Sequence, residues 1–265
     1  MSFRTVNVGD QTSSPASDLH DSRKRGKYDS EEFRRAQEVA HARLYPSIFA
    51  SNFLVLRNRR VHMQQFFAGM KSTGKILDVG AQYCPYYPLF KDKCESYTSL
   101  DLVDTPIVDV VCDAEQMNLA DNSFDLVLCT QVLEHVQNPG RVVDECHRVL
   151  KPGGMLIATA PSMYPQHGYP ADNWRFMPDG FRYLLRAFSE VEVLGELDFA
   201  ESLASANCFF GQVLTGRMGK LGRAMNPLWH LATNVCGMAL SLALRPLSRS
   251  NFSSYTMNLW AQARK

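Results

Sequence analysis

Acidic residues stand at the ends of several short apolar runs, and their spacing suits a nucleoside-binding site. Asp78 follows the first run, Asp101 ends the second and Asp113 ends the third. A carboxylate can accept two hydrogen bonds from the vicinal diol of a ribose, and an acidic residue about 20 positions past the first glycine is typical of that role. We expect Asp101 to bind a ribose and Asp113 to accept from an adenine amino group. The alternative for each aspartate is a helix cap or a turn.

The turn after the first run reads DVGAQYCPYY, and it departs from a dinucleotide-binding turn. Gly80 fills the first glycine position, whereas Gln82 and Cys84 stand where the next two glycines usually lie. Side chains at these positions would crowd a pyrophosphate at a helix N-terminus. The turn therefore argues against NAD and a dehydrogenase, and it is more compatible with a cofactor that has no phosphates.

Two histidines are candidates for proton transfer. His135 follows Glu134 shortly after the fourth apolar run, and His167 lies in the polar, aromatic loop YPQHGYPADNWRF together with Asp172. A histidine can take the proton from a hydroxyl acceptor, and a carboxylate can orient it. The alternatives are a structural histidine at 135, a helix-start carboxylate at 134 and a packed lid for the loop.

The elements that position these residues alternate between short strands and helices. Seven strands are predicted at residues 75–80, 96–101, 107–113, 124–130, 154–161, 190–197 and 255–265. Helices are predicted within 30–70, interrupted at Pro46, and at Pro139–Leu150 and Pro178–Phe188, with Asn138 as an N-cap. This alternation is typical of an α/β fold with a doubly wound parallel sheet.

The pattern divides the chain into five parts. They are a flexible tail at 1–28, an N-terminal helical lid at 29–74, a core at 75–197, a helical insertion at 198–252 and the last core strand at 253–265. Within the insertion, 227–244 is predicted to be a helix with a polar stripe (His230, Asn234, Gly237, Ser241) and an apolar stripe (Leu231, Val235, Met238, Leu242). We expect this helix to pack on the domain or across a dimer, and contact with a membrane surface is the second choice.

Composition excludes several classes of function. The 265 residues are 45% apolar and 21% charged with a net charge of +1, which suits a globular protein and gives no basic patch for nucleic acid. The seven cysteines are scattered, no metal-ligand spacing occurs and no metal is predicted. The polar N-terminus has no apolar signal-peptide core, so a cytoplasmic location is expected.

The segments KILDVGAQYCPYY, SLDL and VCDAEQMNLADNSFDLVLCTQVLEHVQNPGRVVDECHRVLKPGGMLIATAP resemble the class I S-adenosylmethionine-dependent methyltransferases, in particular the type 11-like group with V-L-E-H-V and L-K-P-G-G motifs. The resemblance covers roughly residues 75–188. It implies a Rossmann-like seven-stranded sheet, mostly parallel with an antiparallel last strand. It also implies S-adenosyl-L-methionine as cofactor, and one basic residue among Arg57, Arg59 and Arg60 as a ligand of its carboxylate.

The resemblance further implies cofactor contacts for ten residues. They are Asp78, Gly80, Ala81 and Gln82 at the methionine part, Asp101 and Leu102 at the ribose and adenine, Asp113 and Ala114 at the adenine edge, and Thr130 and Gln131 at the sulfonium.

We expect an O-methyltransferase that acts on a small-molecule hydroxyl of a sugar, glycan or lipid-linked intermediate, with His135, His167 and Asp172 as catalytic candidates. A natural-product N- or O-methyltransferase is one alternative. A non-catalytic binding module that keeps the fold is another, supported by Gln82 and Cys84. A nucleic-acid methyltransferase is disfavoured by the balanced charge and by Thr130-Gln131 in place of an N-P-P-Y-type motif.

Overall fold

The computed structural model describes residues 30–167, 171–244 and 255–265. The predicted tail at 1–28 lies outside the described residues, as do residues 245–254. The helices are α1 (Ser30–Leu44), α2 (Phe53–Ala68), α3 (Pro139–Val149), α4 (Pro178–Leu184), α5 (Phe199–Gly216) and α6 (Gly219–Leu244). The strands are β1 (Gly74–Val79), β2 (Cys94–Asp101), β3 (Val110–Val111), β4 (Phe124–Thr130), β5 (Leu150–Pro161), β6 (Glu190–Gly195) and β7 (Asn258–Arg264).

The seven strands form one sheet in the order β3-β2-β1-β4-β5-β7-β6. β1 pairs in parallel with β2 and β4, and β4 pairs in parallel with β5. β7 lies antiparallel between β5 and β6. The predicted fold class is confirmed, and the strand order reverses between β1 and β4. Ligands of doubly wound sheets bind at the carboxyl edge of such a switch point.

The third strand is much shorter than the prediction of 107–113. Only Val110–Val111 pairs with β2. Before it, the Asp109 amide donates to the Ser99 carbonyl at 3.1 Å, and the remaining bonds involve side chains. The Ser99 hydroxyl donates to the Ile107 carbonyl at 2.8 Å, and Asp109 Oδ2 accepts from the Ser99 amide at 2.9 Å. α4 also ends earlier than predicted, at Leu184 instead of Phe188.

Helices cover both faces of the sheet. On one face, α3 packs Val142 and Val149 into the larger core cluster, and its predicted N-cap is confirmed because the Asn138 side chain accepts from the Arg141 amide at 3.3 Å. On the other face, α2 packs Met63 and Phe67 against β-sheet residues. The segment 29–74, in its described part, is therefore not one separate unit, because α2 belongs to the core.

α1 has a different position and lies over the loop after β1. Ala36 packs in one buried cluster with Ala81, Cys84 and Ile107. The loop after β1 is therefore covered by a helix that precedes it by about 40 residues in the chain.

The insertion forms a hairpin of two helices, α5 and α6, where the sequence pattern indicated only the second. The polar stripe of α6 is its buried side. The Asn234 amide donates to the Ile48 and Ala50 carbonyls at 2.8 and 3.0 Å, and His230 Nδ1 lies 3.0 Å from the Phe49 carbonyl. Burial of polar groups is favourable when they are hydrogen-bonded in this way. This helix packs on the domain, as expected, and its polar stripe forms the contact.

Asn234→Leu should lower the free energy of unfolding by about 2 kcal/mol, because it removes the donor of two carbonyls inside the packed interface. Val235→Leu, at the next and exposed position, should change it by less than about 0.5 kcal/mol. Urea unfolding followed by circular dichroism measures both. Equal stability of the two variants would contradict the role of the buried polar stripe.

Candidate active site

Two loops meet at the carboxyl edge where β1 lies beside β4. Gly80, just after β1, has φ of 68°, and a Cβ there would lie 2.2 Å from Val132 Cγ2. Only glycine fits this position, because both the left-handed backbone and the close approach exclude a side chain. Its amide donates to the Leu100 carbonyl at 2.8 Å, so the loop is tied to β2 as well.

The first loop keeps a glycine-like backbone without the glycines. Gln82 and Cys84 have φ of 41° and 49°, in the left-handed region that costs an ordinary residue about 1–2 kcal/mol. Two hydrogen bonds hold Gln82 in this conformation. The Gln82 amide donates to Asp101 Oδ2 at 3.0 Å, and Thr105 Oγ1 donates to the Gln82 carbonyl at 3.0 Å.

The side chains of the two substituted positions leave the loop. Cys84 is buried beneath α1, and Gln82 Oε1 accepts from Arg43 Nη2 at 3.1 Å. Neither side chain has to occupy the space in front of the backbone. The loop therefore fits a cofactor that approaches it with its methionine end. The side chains of Gln82 and Cys84, which the sequence suggested would crowd a ligand, point away from this space.

Asp78 lies beneath this loop, almost fully buried. Burial raises its pKa to about 7, the hydrogen bond from the Tyr97 hydroxyl at 2.8 Å opposes the rise, and the charge of Asp101 adds to it. A buried carboxyl with such a pKa is poised to ionise when a cation arrives. The amino group and sulfonium of S-adenosylmethionine would provide that cationic charge.

The ends of β2 and β3 present a polar and an apolar surface. Both Asp101 oxygens accept a backbone amide, from Gln82 and, at 2.9 Å, from Val103. Each carboxylate oxygen can accept a second bond, so the group can still bind a diol. Leu102 beside it is 65% exposed, which gives an adenine ring an apolar surface. Asp113 is exposed and accepts from the Glu115 amide at 2.8 Å, while Ala114 packs against the core.

The end of β4 forms the other side of this carboxyl edge of the sheet. Thr130 is half-buried, and Gln131 adopts φ of 57°, with its Nε2 donating to Thr159 Oγ1 at 3.3 Å. A left-handed glutamine at a strand end is a strained feature of the kind that clusters at functional sites.

His135 and His167 are brought together, with ring centres 5.6 Å apart. His135 Nδ1 lies 2.6 Å from the Ala171 carbonyl, and His167 Nδ1 lies 3.3 Å from the Pro165 carbonyl and 3.5 Å from Asp172 Oδ2. Since a carbonyl only accepts, Nδ1 carries the proton in both neutral rings. Both Nε2 atoms are then left as acceptors. Burial lowers the pKa of His167, so its neutral form is favoured.

Asp172 is an orienting group. Its side chain is buried and receives two bonds of 2.6 Å from Arg175, and these bonds lower its pKa to about 2. It also accepts the His167 amide at 2.6 Å. Arg175 further donates to the carbonyls of Tyr164 and Pro165 at 2.7 and 2.9 Å, so one guanidinium holds the loop together. The loop sequence contained this residue, but only the structure shows what it does.

Glu134 does not fit the alternative of a helix-start carboxylate. It does not start a helix, since α3 begins at Pro139. Its side chain is fully buried, burial raises its pKa to about 8, and neither oxygen has a hydrogen-bond partner among the residues that the structure describes. Its carbonyl accepts from the Asn173 and Trp174 amides at 2.7 and 3.3 Å, which anchors the loop. Glu134, His135 and His167 place one potential ligand atom each within 4.8 Å of one another.

The basic residues expected near the cofactor carboxylate lie elsewhere. Arg59 forms a buried, two-bonded ion pair with Glu196 at 2.9 and 3.0 Å, Arg57 faces Glu201 at 3.5 Å, and Arg60 donates to a carbonyl of α1. Arg43 of α1 lies beside the loop instead, bonded to Gln82 and 5.3 Å from the centre of the Tyr83 ring. No sequence signal singled it out.

Comparison with known proteins agrees with this arrangement. Residues 77–158 match the family model described as "Methyltransferase domain". A ubiquinone biosynthesis O-methyltransferase of Psychrobacter arcticus is 27% identical over 61% of this chain and 67% of its own length. The human thiol S-methyltransferase TMT1B is 44% identical over 69 residues, which is 26% of each chain.

A solved structure shows the same fold. The S-adenosylmethionine-dependent methyltransferase of Archaeoglobus fulgidus superposes with a TM-score of 0.51 at 15% identity, over 86% of this chain and 99% of that one. The alternatives of a dehydrogenase and of a non-catalytic module are set aside. Residues 77–158 therefore carry a methyltransferase domain, and the domain match and the relatives support a class I S-adenosylmethionine-dependent methyltransferase with S-adenosylmethionine as its cofactor. The solved structure agrees with the fold.

Proposed function

We propose that the chain methylates a hydroxyl group of a small polar acceptor, a sugar or glycan intermediate that is free or lipid-linked. The pair His135–His167 carries the proposal. Both rings have Nδ1 bonded to oxygen and Nε2 left to accept a proton, at the edge where the cofactor binds. Methylation of a hydroxyl requires removal of its proton, which a neutral histidine can accept. The name of one relative, an O-methyltransferase, refers to an oxygen acceptor, whereas the other relative is named for a thiol.

The cofactor contacts are assigned to the edge residues of β1 to β4. When bound, S-adenosylmethionine supplies a methyl group made electrophilic by its sulfonium. The assigned residues are Asp78, Gly80, Ala81 and Gln82 at the methionine part, Asp101 and Leu102 at the ribose and adenine, Asp113 and Ala114 at the adenine edge, and Thr130 and Gln131 at the sulfonium. Arg43 is added as the ligand of the methionine carboxylate.

The described residues of the loop after β5, 162–167 and 171–176, are assigned to the acceptor. It offers hydrogen-bonding groups and aromatic faces, which suit a sugar ring: the Tyr164 and His167 rings lie 4.7 Å apart, and Trp174 is 41% exposed while its Nε1 is already bonded to the Val136 carbonyl. Arg175 and Asp172 hold the loop in place. Positioning of this kind contributes strongly to an in-line displacement, because the nucleophile must be aligned with the methyl group and the sulfur.

His167→Asn should lower kcat for a hydroxyl acceptor about 100-fold or more, with little change in the Kd of S-adenosylhomocysteine, because the proton acceptor is lost while the cofactor contacts remain. Mass spectrometry of products across a panel of hydroxyl, amine and thiol acceptors identifies the acceptor. His147→Gln, on α3 away from this edge, is the matched control.

Unchanged turnover of His167→Asn would move the role of base to His135. Methylation of amines or thiols alone would overturn the hydroxyl assignment. Activity should survive treatment with EDTA, since the histidines act here as a base. Loss on chelation that a divalent cation restores would instead make the Glu134–His135–His167 cluster a metal site.

Arg43→Ala should weaken S-adenosylhomocysteine binding about 10-fold, because a charged hydrogen bond to the carboxylate is removed. Arg35→Ala is the control, since Arg35 is an exposed arginine of the same helix that pairs with Glu31. Calorimetry measures both affinities. Equal Kd values for the two variants would remove Arg43 from the cofactor site.

Asp78 should release a proton when the cofactor binds at about pH 6.5, because a nearby cation lowers the pKa of a carboxyl that stands at about 7. Calorimetry in two buffers with different ionisation enthalpies should give a release that approaches about one proton, and Asp78→Asn should abolish it.

The same shift affects stability. The pKa of Asp78 in the folded protein lies above its usual value of 3.8, so the folded state holds the proton to higher pH than the unfolded one. The contribution of this group to the free energy of unfolding should therefore fall between about pH 4 and pH 7. Asp78→Asn should remove that fall, and an unchanged pH profile would show that folding does not raise the pKa of Asp78.

A further inference from the structure

The hairpin of α5 and α6 exposes an unusual amount of apolar surface. Thirteen of the 24 exposed large hydrophobic residues in the described part of the chain lie between residues 199 and 244. They are Phe199, Leu203, Phe210, Val213, Leu214, Met218, Leu221, Met225, Leu228, Val235, Leu240, Leu242 and Leu244. Scattered single residues of this kind are ordinary, whereas a contiguous apolar surface marks an interaction site.

The orientation of the hairpin is fixed by its other side. His230 and Asn234 bind the carbonyls of residues 48–50, and Gly237 packs so closely on α5 that a Cβ there would lie 2.5 Å from that of Ala204. Turning the apolar side inward would break these bonds. The outer side of the hairpin is therefore presented to the surroundings.

The charges of the hairpin have one sign. Its three cations, Arg217, Lys220 and Arg223, are all exposed at the turn between the two helices, and none forms an ion pair within the described residues. Its single acidic residue, Glu201, is buried against α2, with Oε2 accepting from Asn58 at 3.0 Å. Met218 and Leu221 lie between the cations in the sequence.

The exposed apolar surface and the exposed cations distinguish between two candidate partners of this face, a second copy of the chain and a membrane. A second copy that met the same face would place the cations opposite one another with no exposed carboxylate of the hairpin to pair with them, because a two-fold contact brings the same patch from both subunits. A bilayer that contains anionic lipids provides apolar depth and negative charge at once.

α6 has the length and composition to cross a membrane, and only 17% of its most apolar 18-residue window is buried in the protein. Crossing would require the bonds of Asn234 and His230 to the rest of the domain to break. A hairpin that lies on the surface keeps them.

We propose that the outer face of the α5–α6 hairpin docks on the surface of a membrane that contains anionic lipids. Docking would place the acceptor loop next to that surface, because Phe209 of α5 contacts the Tyr164 ring at 4.9 Å, and Tyr164 contacts His167. The proposal does not depend on the identity of the acceptor.

Flotation of the full chain with vesicles tests the docking. We expect binding to vesicles of phosphatidylcholine mixed with phosphatidylglycerol, weaker binding in high salt and much weaker binding to phosphatidylcholine alone. Replacement of Arg217, Lys220 and Arg223 by Gln should weaken binding to the anionic vesicles about 100-fold, since each surface cation contributes roughly one factor of five. Leu221→Ser combined with Leu228→Ser should weaken it as well.

The matched control is Leu194→Ser combined with Tyr183→Ser, two exposed apolar positions outside the hairpin, at 39% and 69% exposure. Each variant is first shown to bind S-adenosylhomocysteine, which establishes folding independently of methyl transfer. Equal vesicle binding by all variants would overturn the proposal. A dimer in light scattering that is lost in the hairpin variants, without vesicle binding by the parent chain, would overturn it in favour of a second copy.

Discussion

The close approach of Gly80 to Val132 is the constraint on which both halves of the site depend. It joins the loop after β1 to the segment after β4 at the point where the strand order reverses, and a Cβ at position 80 would lie 2.2 Å from Val132 Cγ2. The loop to which we assign the cofactor and the segment that carries Glu134 and His135 thus share one rigid edge. A protein that aligns a methyl group with an acceptor needs this rigidity, because small displacements cost much of the rate.

The fold followed from the sequence because its strongest signals are local. β4 was predicted at 124–130 and is found there, since a run of buried apolar residues between helices has few alternatives. The extent of β3 could not be predicted, because the contact between Ser99 and Asp109 is formed largely by side-chain bonds that depend on tertiary structure. The sequence predicted that the side chains of Gln82 and Cys84 would crowd a pyrophosphate, but both point away from the front of the loop. Their left-handed backbone, held by Asp101 and Thr105, could not be foreseen.

The residues that sequence reasoning missed act through long-range contacts. A helix-start carboxylate was the alternative for Glu134, but its side chain is buried beside two histidines that lie on different segments. Arg43 contacts the first loop from a helix that precedes it in the chain. Arg175 donates hydrogen bonds to carbonyls of its own loop. The hairpin reverses the usual pattern, with its polar stripe inward, because the carbonyls of residues 48–50 provide partners that no periodicity reveals.

The most direct test is a crystal structure with S-adenosylhomocysteine and an acceptor sugar. We expect the adenosine to lie along the ends of β2 and β3 and the sulfur to face His135 and His167 across the switch point. The acceptor hydroxyl should lie within hydrogen-bond distance of one free Nε2. A sulfur that faces away from the two histidines, or an acceptor bound elsewhere on the protein, would contradict the assignment of this edge as the place of methyl transfer.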